Sequence, residues 1–223
     1  MGCGRFLSIE SYYLSDKKMK IVLYTQRVEV IESYNERRDC ADQRVAEFIR
    51  ACGYLPVPVP NNAILAKEFV EELKPAGIIL TGGNSLVKWG GNAAERDATD
   101  KAYIELAIEK NIPLYGFCRG MQSILDFFGE ELITVTGHVA KRMNVTGVED
   151  PVLGSFNREV NSYHNQGCVA INRPDIEILA KSEDGVIKAI SQKEYKLLGT
   201  MWHPERETIF SLDDIKMVQG HIG

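Results

Sequence analysis

Cys118 lies in the middle of PLYGFCRGMQ (113–122), a segment whose residues and their order are those expected around a reactive cysteine. It follows a short apolar run, and a glycine lies two residues away on each side, at Gly116 and Gly120. This spacing is typical of a nucleophile elbow, a tight turn from a strand into a helix that needs small flanking residues. The positive end of the helix dipole would favour the thiolate, and the backbone N–H of Arg119 would point at an oxyanion.

A thiolate that attacks an amide also needs a base and a group that orients the base. The run LLGTMWHPE (197–205) offers His203 and, two residues later, Glu205. In an extended segment these two side chains lie on the same side, so we expect the carboxylate to hold the imidazole towards the sulfur. The alternatives are a cysteine that only packs in the core and a histidine with ordinary surface partners. The combination of Cys118 with His203 and Glu205 favours nucleophilic catalysis.

A second oxyanion donor is expected at the end of another buried strand. The segment ILTGGNS (79–85) ends such a strand with Gly82 and Gly83, where bare backbone can approach a ligand. A tight turn without a function is the alternative.

The elements that must position these residues alternate between strand and helix through the first two thirds of the chain. The predicted strands are 20–26, 54–60 as a proline-bearing edge strand, 77–83 and 112–117, and the predicted helices are 37–53, 64–74, 94–110 and 121–129. Such alternation predicts an α/β fold with a mostly parallel sheet, whose ligands bind at the carboxyl ends of the strands. From about residue 130, short runs suggest antiparallel additions, namely ELITVTG, EVNSY, CVAIN, EILAKS, GVIKAIS and KLLGTMWH.

Length and composition narrow the class of protein. At 223 residues with 44% hydrophobic composition, one domain is expected over 19–223, and residues 1–18 are set aside as an N-terminal extension. A net charge of −5 with scattered signs argues against a nucleic-acid partner, and no apolar run is long enough to predict a membrane span. The five cysteines lack a C-x-x-C pair, which argues against a disulfide framework and a zinc site and fits a reducing cytoplasm.

Four segments together resemble a known family. They are TGG (81–83), ERDATDKAYIELAIEKNIPLYGFCRGMQ (95–122), NSYHNQ (161–166) and GTMWHPE (199–205). In order and spacing they resemble the class I, or triad, glutamine amidotransferase-like superfamily, and within it the γ-glutamyl hydrolase branch. The resemblance covers nearly everything from Met19 onward. It implies a flavodoxin-like core and hydrolysis of a γ-glutamyl amide through a thioester, with no metal and no organic cofactor.

The resemblance also implies a role for individual residues. It makes Cys118 the nucleophile, His203 the acid and base, Glu205 its orienting group, and Gly83 and Arg119 the backbone donors of the oxyanion hole. The implied contacts to the γ-glutamyl part of the substrate are Gln122, Ser162, Tyr163, His164 and Gln166.

Evidence on the leaving group of the substrate comes from the segment SYNERRDCADQR (33–44), which follows the first strand. Its Arg37 and Arg38 could bind phosphate, because arginine forks match phosphate geometry. A solvated helix start with ion pairs is the alternative. YNERRD with PVPVPN (56–61) also resembles hydrolases of bacterial capsular phosphoramidate biosynthesis, which implies a cytidine nucleotide conjugate as substrate and other pathway enzymes as partners.

Other hypotheses remain open. The chain could be a glutaminase subunit that supplies ammonia to a synthase, or it could cleave γ-glutamyl-aminobutyrate. Outside enzymes, it could be an inactive regulatory homologue, although the three residues of an intact triad speak against that.

Overall fold

A computed structural model describes residues 18–223, so the predicted extension 1–18 lies almost entirely outside the described residues. The helices are α1 Gln43–Ala51, α2 Ala66–Leu73, α3 Ala94–Lys110, α4 Arg119–Phe127 and α5 Leu212–Ile222. The strands are β1 Ile21–Tyr24, β2 Arg27–Ile31, β3 Glu36–Cys40, β4 Leu55–Pro58, β5 Gly77–Leu80, β6 Leu114–Phe117, β7 Ile133–Thr134, β8 Val139–Gly147, β9 Glu149–Asp150, β10 Gly154–Ser155, β11 Arg158–Tyr163, β12 Gln166–Gly167, β13 Glu177–Ser182, β14 Ile187–Gln192 and β15 Leu197–Thr200. Of the helices in this described range, none is long and apolar enough to cross a membrane.

A nine-stranded sheet carries the fold, in the order β11-β8-β13-β14-β15-β6-β5-β1-β4. Strands β4, β1, β5, β6 and β15 are parallel to their neighbours in this series, and β14, β13, β8 and β11 continue the sheet in antiparallel fashion. The predicted α/β class, with its antiparallel additions and its edge strand β4, is therefore confirmed. The carboxyl ends of β5 and β6 lie side by side, which places Gly82 and Cys118 at one edge of the sheet.

The core lies on both faces of the sheet. One apolar cluster joins α1 and α5 to the sheet through residues such as Phe48 and Val218. The other cluster packs α2, α3 and α4 on the opposite face and includes Tyr103 and Met121. Helices on both faces are what a largely parallel sheet requires, because both of its sides must be buried. Helix α5, which the sequence patterns did not predict, closes the first face.

Two local predictions were wrong, and one strand was not predicted. Residues 36–40 form β3, which pairs with β2 in a hairpin, instead of the first turns of a helix. The hairpin turns through Asn35 at φ 50°. The helix begins only at Gln43, after the N-cap Asp42, whose side chain accepts a hydrogen bond from the Arg44 N–H. The run CVAIN is not a strand, and β8, the longest strand of the sheet, lies in a polar segment that had no strand signal.

The glycines around Cys118 are required by close packing between β5, β6 and α4. A Cβ at Gly120 would lie 2.1 Å from the Leu80 carbonyl oxygen, and one at Gly116 would lie 2.5 Å from the Gly120 carbonyl carbon. Neither backbone can retreat without moving a strand of the sheet. These contacts give the steric reason for the G-x-C-x-G pattern.

We expect Gly120→Ala to lower the free energy of unfolding by at least about 2 kcal/mol, because the added methyl group overlaps backbone atoms. Gly129→Ala is the control, since a Cβ there meets nothing within 4 Å and the cost is only that of its φ of +77°. Urea denaturation measures both. A Gly120 variant as stable as the Gly129 variant would contradict the steric argument.

Candidate active site

Cys118 occupies the turn between β6 and α4 in a conformation that side chains rarely adopt. Its φ is 52° and its ψ is −109°. For a residue other than glycine such a backbone costs about 1–3 kcal/mol and persists only where the surrounding structure enforces it. Part of that enforcement is a hydrogen bond from the Cys118 N–H to the Thr200 carbonyl of β15, at 2.7 Å. The thiol is buried, with 7% of the residue exposed.

His203 reaches the same point from the end of β15. Its Nδ1 lies 2.7 Å from Oε1 of Glu205. Asn161 of β11 fixes the His203 backbone on both sides, accepting from its N–H at 2.9 Å and donating to its carbonyl at 2.8 Å. The segment after His203 is a short 3-10 helix, Pro204–Arg206, and not the extended chain that the sequence suggested, but the carboxylate still reaches the ring.

The imidazole of His203 and the thiol of Cys118 change each other's pKa. Burial alone would raise the pKa of the thiol, but the charge of the neighbouring His203 outweighs burial, so the pKa is lowered. Burial would likewise lower the pKa of His203, but Cys118 and Glu205 raise it above its ordinary value. With Nδ1 bound to Glu205, Nε2 is the nitrogen left for the sulfur, and it has no hydrogen-bond partner in the described part of the chain. The arrangement favours a thiolate beside an imidazolium.

The backbone around the thiol offers two candidate oxyanion donors. The N–H of Arg119 points towards the sulfur and helps to lower the pKa of Cys118. The carbonyl of Gly82 accepts a hydrogen bond from the buried guanidinium of Arg96 at 2.8 Å. Because a trans peptide is planar, with its C=O and N–H pointing in opposite directions, the N–H of Gly83 points away from Arg96. A Cβ on Gly82 would lie 2.6 Å from the His203 ring, so this loop borders the triad.

Two buried arginines support that backbone, and only one of them was singled out in the sequence. Arg96 also donates to the Thr81 carbonyl at 2.8 Å. Burial, followed by the charge of Arg119, lowers the pKa of Arg96 to about 9, so it stays largely protonated at neutral pH. The side chain of Arg119 forms ion pairs with Asp97 and Asp100 of α3. Helix α3 therefore holds both the loop after β5 and the first turn of α4.

The candidate contacts to the γ-glutamyl part cluster beside the triad. The carbonyl of Gln166 accepts from the Gln122 amide at 2.9 Å and from Nδ1 of His164 at 3.0 Å. The ring of Tyr163 lies 5.8 Å from that of His203, nearly perpendicular to it. Ser162 is fully buried, and its hydroxyl is 3.2 Å from the ammonium of Lys188.

Lys188 is a buried cation that the sequence patterns did not reveal. Its ammonium donates to Nε2 of His164 at 2.7 Å and to Nδ1 of His138 at 2.8 Å. Burial lowers the pKa of Lys188 to about 8, and burial together with that ammonium lowers the pKa of His164 to about 3. His164 is therefore a neutral imidazole that donates from Nδ1 and accepts at Nε2. A lone lysine inside the otherwise apolar run IKAIS was the available signal.

Arg37 and Arg38 do not reach the triad. The guanidinium of Arg37 is bound to Glu95 at 2.6 Å and to the Asn92 carbonyl at 2.8 Å, and Arg38 is bound to Glu36 at 2.7 Å. The cavity of about 40 Å³ beside His203 is lined instead by Arg27, Cys40, Ala41, Asp42, Val45, Thr81, Gly82, Gly83, Phe117, His203, Glu205 and Arg206.

Comparison with known proteins gives a consistent picture. A family model described as Peptidase C26 matches residues 20–205. The γ-glutamyl-CDP-amidate hydrolase of Campylobacter jejuni is 29% identical over 198 residues, covering 87% of this chain and 94% of the relative. The γ-glutamyl-γ-aminobutyrate hydrolase of Escherichia coli K12 is 28% identical over 84% of this chain and 88% of its own. The crystal structure of a putative GMP synthase subunit from Thermoplasma acidophilum has the same fold, with a TM-score of 0.68 at 20% identity, over 92% of this chain and 94% of its own.

The pH dependence of alkylation tests the Cys118–His203 pair. We expect iodoacetamide to label Cys118 with a midpoint below the ordinary thiol value of about 8.5, because the imidazolium stabilises the thiolate until the pH falls through the lowered pKa. In His203→Ala the main effect that opposes burial is lost, so the midpoint should move above that value. Peptide mapping follows the site, and Cys52 serves as internal control, because burial raises its pKa to about 12. Equal midpoints in the two proteins would refute the pairing.

The strained turn at Cys118 predicts an unusual order of stability. Cys118→Gly should be more stable than Cys118→Ala by about 1 kcal/mol, because glycine tolerates the positive φ. At Cys40, which lies in β3, the order should reverse, since glycine in a strand costs about 0.5–1 kcal/mol relative to alanine. Urea denaturation of the four variants gives both differences, and the same order at both positions would contradict the strain.

Proposed function

This chain belongs to the peptidase C26 family, and we propose that it hydrolyses γ-glutamyl amide bonds with Cys118 as nucleophile, His203 as acid and base, and Glu205 as the group that orients His203. The observation that carries the proposal has two parts. His203 is held by a buried hydrogen bond to Glu205, and the neighbouring Cys118, in its strained turn, has a thiol pKa that His203 lowers. An inactive homologue would have no reason to retain both the strain and the buried charges.

The first half of the proposed reaction forms a thioester. The Cys118 thiolate attacks the γ-carbonyl carbon, and the N–H groups of Arg119 and Gly83 stabilise the oxyanion. As the C–N bond breaks, the His203 imidazolium gives its proton to the leaving nitrogen. The amine departs, the γ-glutamyl group stays on sulfur, and His203 is left neutral.

The second half regenerates the enzyme. Neutral His203 takes a proton from water, whose oxygen attacks the thioester carbon. The C–S bond breaks, glutamate leaves, and the sulfur returns as a thiolate beside the protonated imidazole. Glu205 keeps Nδ1 of His203 protonated in both halves, so Nε2 carries each transferred proton.

For the glutamyl end of the substrate we assign the group formed by Gln122, Ser162, Tyr163, His164 and Gln166. The support is that Gln122 and His164 share the carbonyl of Gln166, and that the ring of Tyr163 lies next to that of His203. The buried charge of Lys188 lies behind this group and makes its surroundings positive, which suits an α-carboxylate.

For the leaving group we propose cytidine diphosphoramidate, so that the substrate is γ-glutamyl-CDP-amidate. The support is the Campylobacter relative of that name, which aligns with this chain over nearly the full length of both. The E. coli relative makes γ-glutamyl-γ-aminobutyrate the rival substrate. The four cysteines of the described residues are unpaired, and we propose that the protein works in a reducing compartment.

Glutamate release from γ-glutamyl-CDP-amidate, γ-glutamyl-γ-aminobutyrate and glutamine tests this function. We expect the wild-type protein to cleave the first with the highest kcat/KM, and Cys118→Ala to lower kcat by at least about a thousandfold, because no other group can form the thioester. Cys52→Ala, which removes a buried cysteine far along the chain from the elbow, is the control and should retain activity. Turnover that survives in Cys118→Ala would refute the nucleophile, and no glutamate from any of the three substrates would refute the hydrolase.

A further inference from the structure

The small cavity beside His203 has two arginines in its wall that the sequence motifs did not single out. Arg27 comes from the start of β2, and Arg206 comes from the 3-10 helix after His203. The cavity of about 40 Å³ has room for only a few atoms. In the proposed reaction His203 protonates the leaving nitrogen, so the atoms of the leaving group next to that nitrogen would lie beside His203, where this cavity is.

Arg27 lies directly over the loop that offers the Gly83 N–H. A Cβ on Gly83 would be 2.9 Å from Cβ and 3.1 Å from Cδ of Arg27, so the arginine stem covers the glycine. Nε of Arg27 donates to the Cys40 thiol at 3.4 Å, and this is the one hydrogen bond that its guanidinium makes within residues 18–223. Its two terminal nitrogens are therefore available to a ligand.

Arg206 belongs to the 3-10 helix that follows His203. Its guanidinium lies over the Tyr163 ring, with 4.3 Å between the guanidinium carbon and the ring centre. Its nearest carboxylate oxygen is Oε1 of Glu205, at 3.8 Å from Nε, which is too far for a hydrogen bond. Since that oxygen already binds His203, the donors of Arg206 have no acceptor among the residues that the structure describes. Contact with the ring restricts the side chain and so limits the entropy lost when the guanidinium binds an anion.

Neighbouring arginines already bind carboxylates or carbonyls of the protein, which sets Arg27 and Arg206 apart. Arg37 binds a carboxylate and a carbonyl, and Arg38 binds a carboxylate. Arg44 donates to the carbonyls of Glu205 and Glu207 at 2.8 and 2.5 Å. Asp42 is the acidic side chain on the cavity wall apart from Glu205, and it caps α1 by accepting from the Arg44 N–H.

We propose that Arg27 and Arg206 form the phosphate-binding site of the leaving group, so that this protein selects γ-glutamyl conjugates of a nucleoside diphosphate. The inference rests on the proposed hydrolase function and replaces Arg37 and Arg38 as the phosphate contacts. In a γ-glutamyl phosphoramidate the nitrogen that receives the His203 proton is bonded directly to phosphorus. Its phosphate oxygens must therefore lie beside His203, between two guanidinium groups whose donors match them.

The two arginines serve the reaction as well as recognition. A phosphoramidate nitrogen leaves with the negative charge of the phosphate beside it, and cations next to that charge stabilise it as the C–N bond breaks. Glutamine releases ammonia, which is too small to contact either arginine. The arginines should therefore matter for the nucleotide substrate and not for glutamine.

The test compares Arg27→Gln, Arg206→Gln and the control Arg37→Gln, whose guanidinium is ion-paired outside the cavity. We expect each of the first two to lower kcat/KM for γ-glutamyl-CDP-amidate by at least about tenfold, the loss typical of a charge-assisted hydrogen bond. The kcat/KM for glutamine and for γ-glutamyl-γ-aminobutyrate should change by less than about threefold. Arg37→Gln should leave kcat/KM for all three substrates unchanged. Arg27→Lys should lose part of the nucleotide activity, because it keeps the charge without the fork.

Equal losses on glutamine would overturn the inference, because they would mean that the arginines only support the oxyanion loop. Equal losses on the aminobutyrate conjugate would overturn the choice of phosphate over carboxylate. A binding experiment separates this inference from the hydrolase function: cytidine 5′-diphosphate is titrated calorimetrically into Cys118→Ala, alone and combined with each arginine change. Binding that weakens at least about tenfold with Arg27→Gln and Arg206→Gln supports the site even if no substrate is cleaved. Absence of such binding refutes it even if glutamine is hydrolysed.

Discussion

The interaction on which the rest of this structure depends is the pairing of two buried side chains, the Cys118 thiol and the His203 imidazole. Burial opposes the charged form of each partner, so neither would stay ionised alone. Together they stabilise each other, and the Glu205 carboxylate keeps the imidazole in the required tautomer. Charges that a protein holds in place before a substrate arrives need no reorganisation during a reaction.

Several otherwise unrelated features of the fold hold Cys118 and His203 in place. The turn at Cys118 is strained by about 1–3 kcal/mol, and the close contact of Gly120 with the Leu80 carbonyl fixes it against the sheet. Arg96 and Arg119, both buried, tie the loop after β5 and the first turn of α4 to helix α3. The cost of burying two guanidinium groups is offset because most of their donors meet carbonyls, hydroxyls or carboxylates.

The sequence predicted the parts of the molecule whose signal is local. Helix α3 was predicted over the residues at which it occurs, and the cysteine elbow and the strand that leads to His203 were found from spacing alone. The β2–β3 hairpin was missed because its second strand is almost entirely exposed and charged, so it has no alternation of apolar residues. Strand β8 was missed for the same reason, since Val145 is its one buried residue.

In the candidate site, too, the residues with a local sequence signal were predicted and those without one were missed. The triad follows from two motifs, whereas Arg96 and Lys188 act through tertiary contacts that no spacing rule reveals. Arg37 and Arg38 were chosen because arginines near a strand end suit phosphate, but their neighbours Glu95 and Glu36 bind them first. Which of several arginines keeps its donors unused depends on the three-dimensional arrangement of the carboxylates around it.

The most direct test of the central claim is acid quenching of the wild-type protein during turnover of γ-glutamyl-CDP-amidate, followed by mass spectrometry of its peptides. We expect one γ-glutamyl group on the peptide that contains Cys118, and its removal by hydroxylamine, as a thioester requires. Glutamate formation without any adduct on that peptide, or with an adduct on another residue, would contradict the assignment of Cys118 as the activated nucleophile.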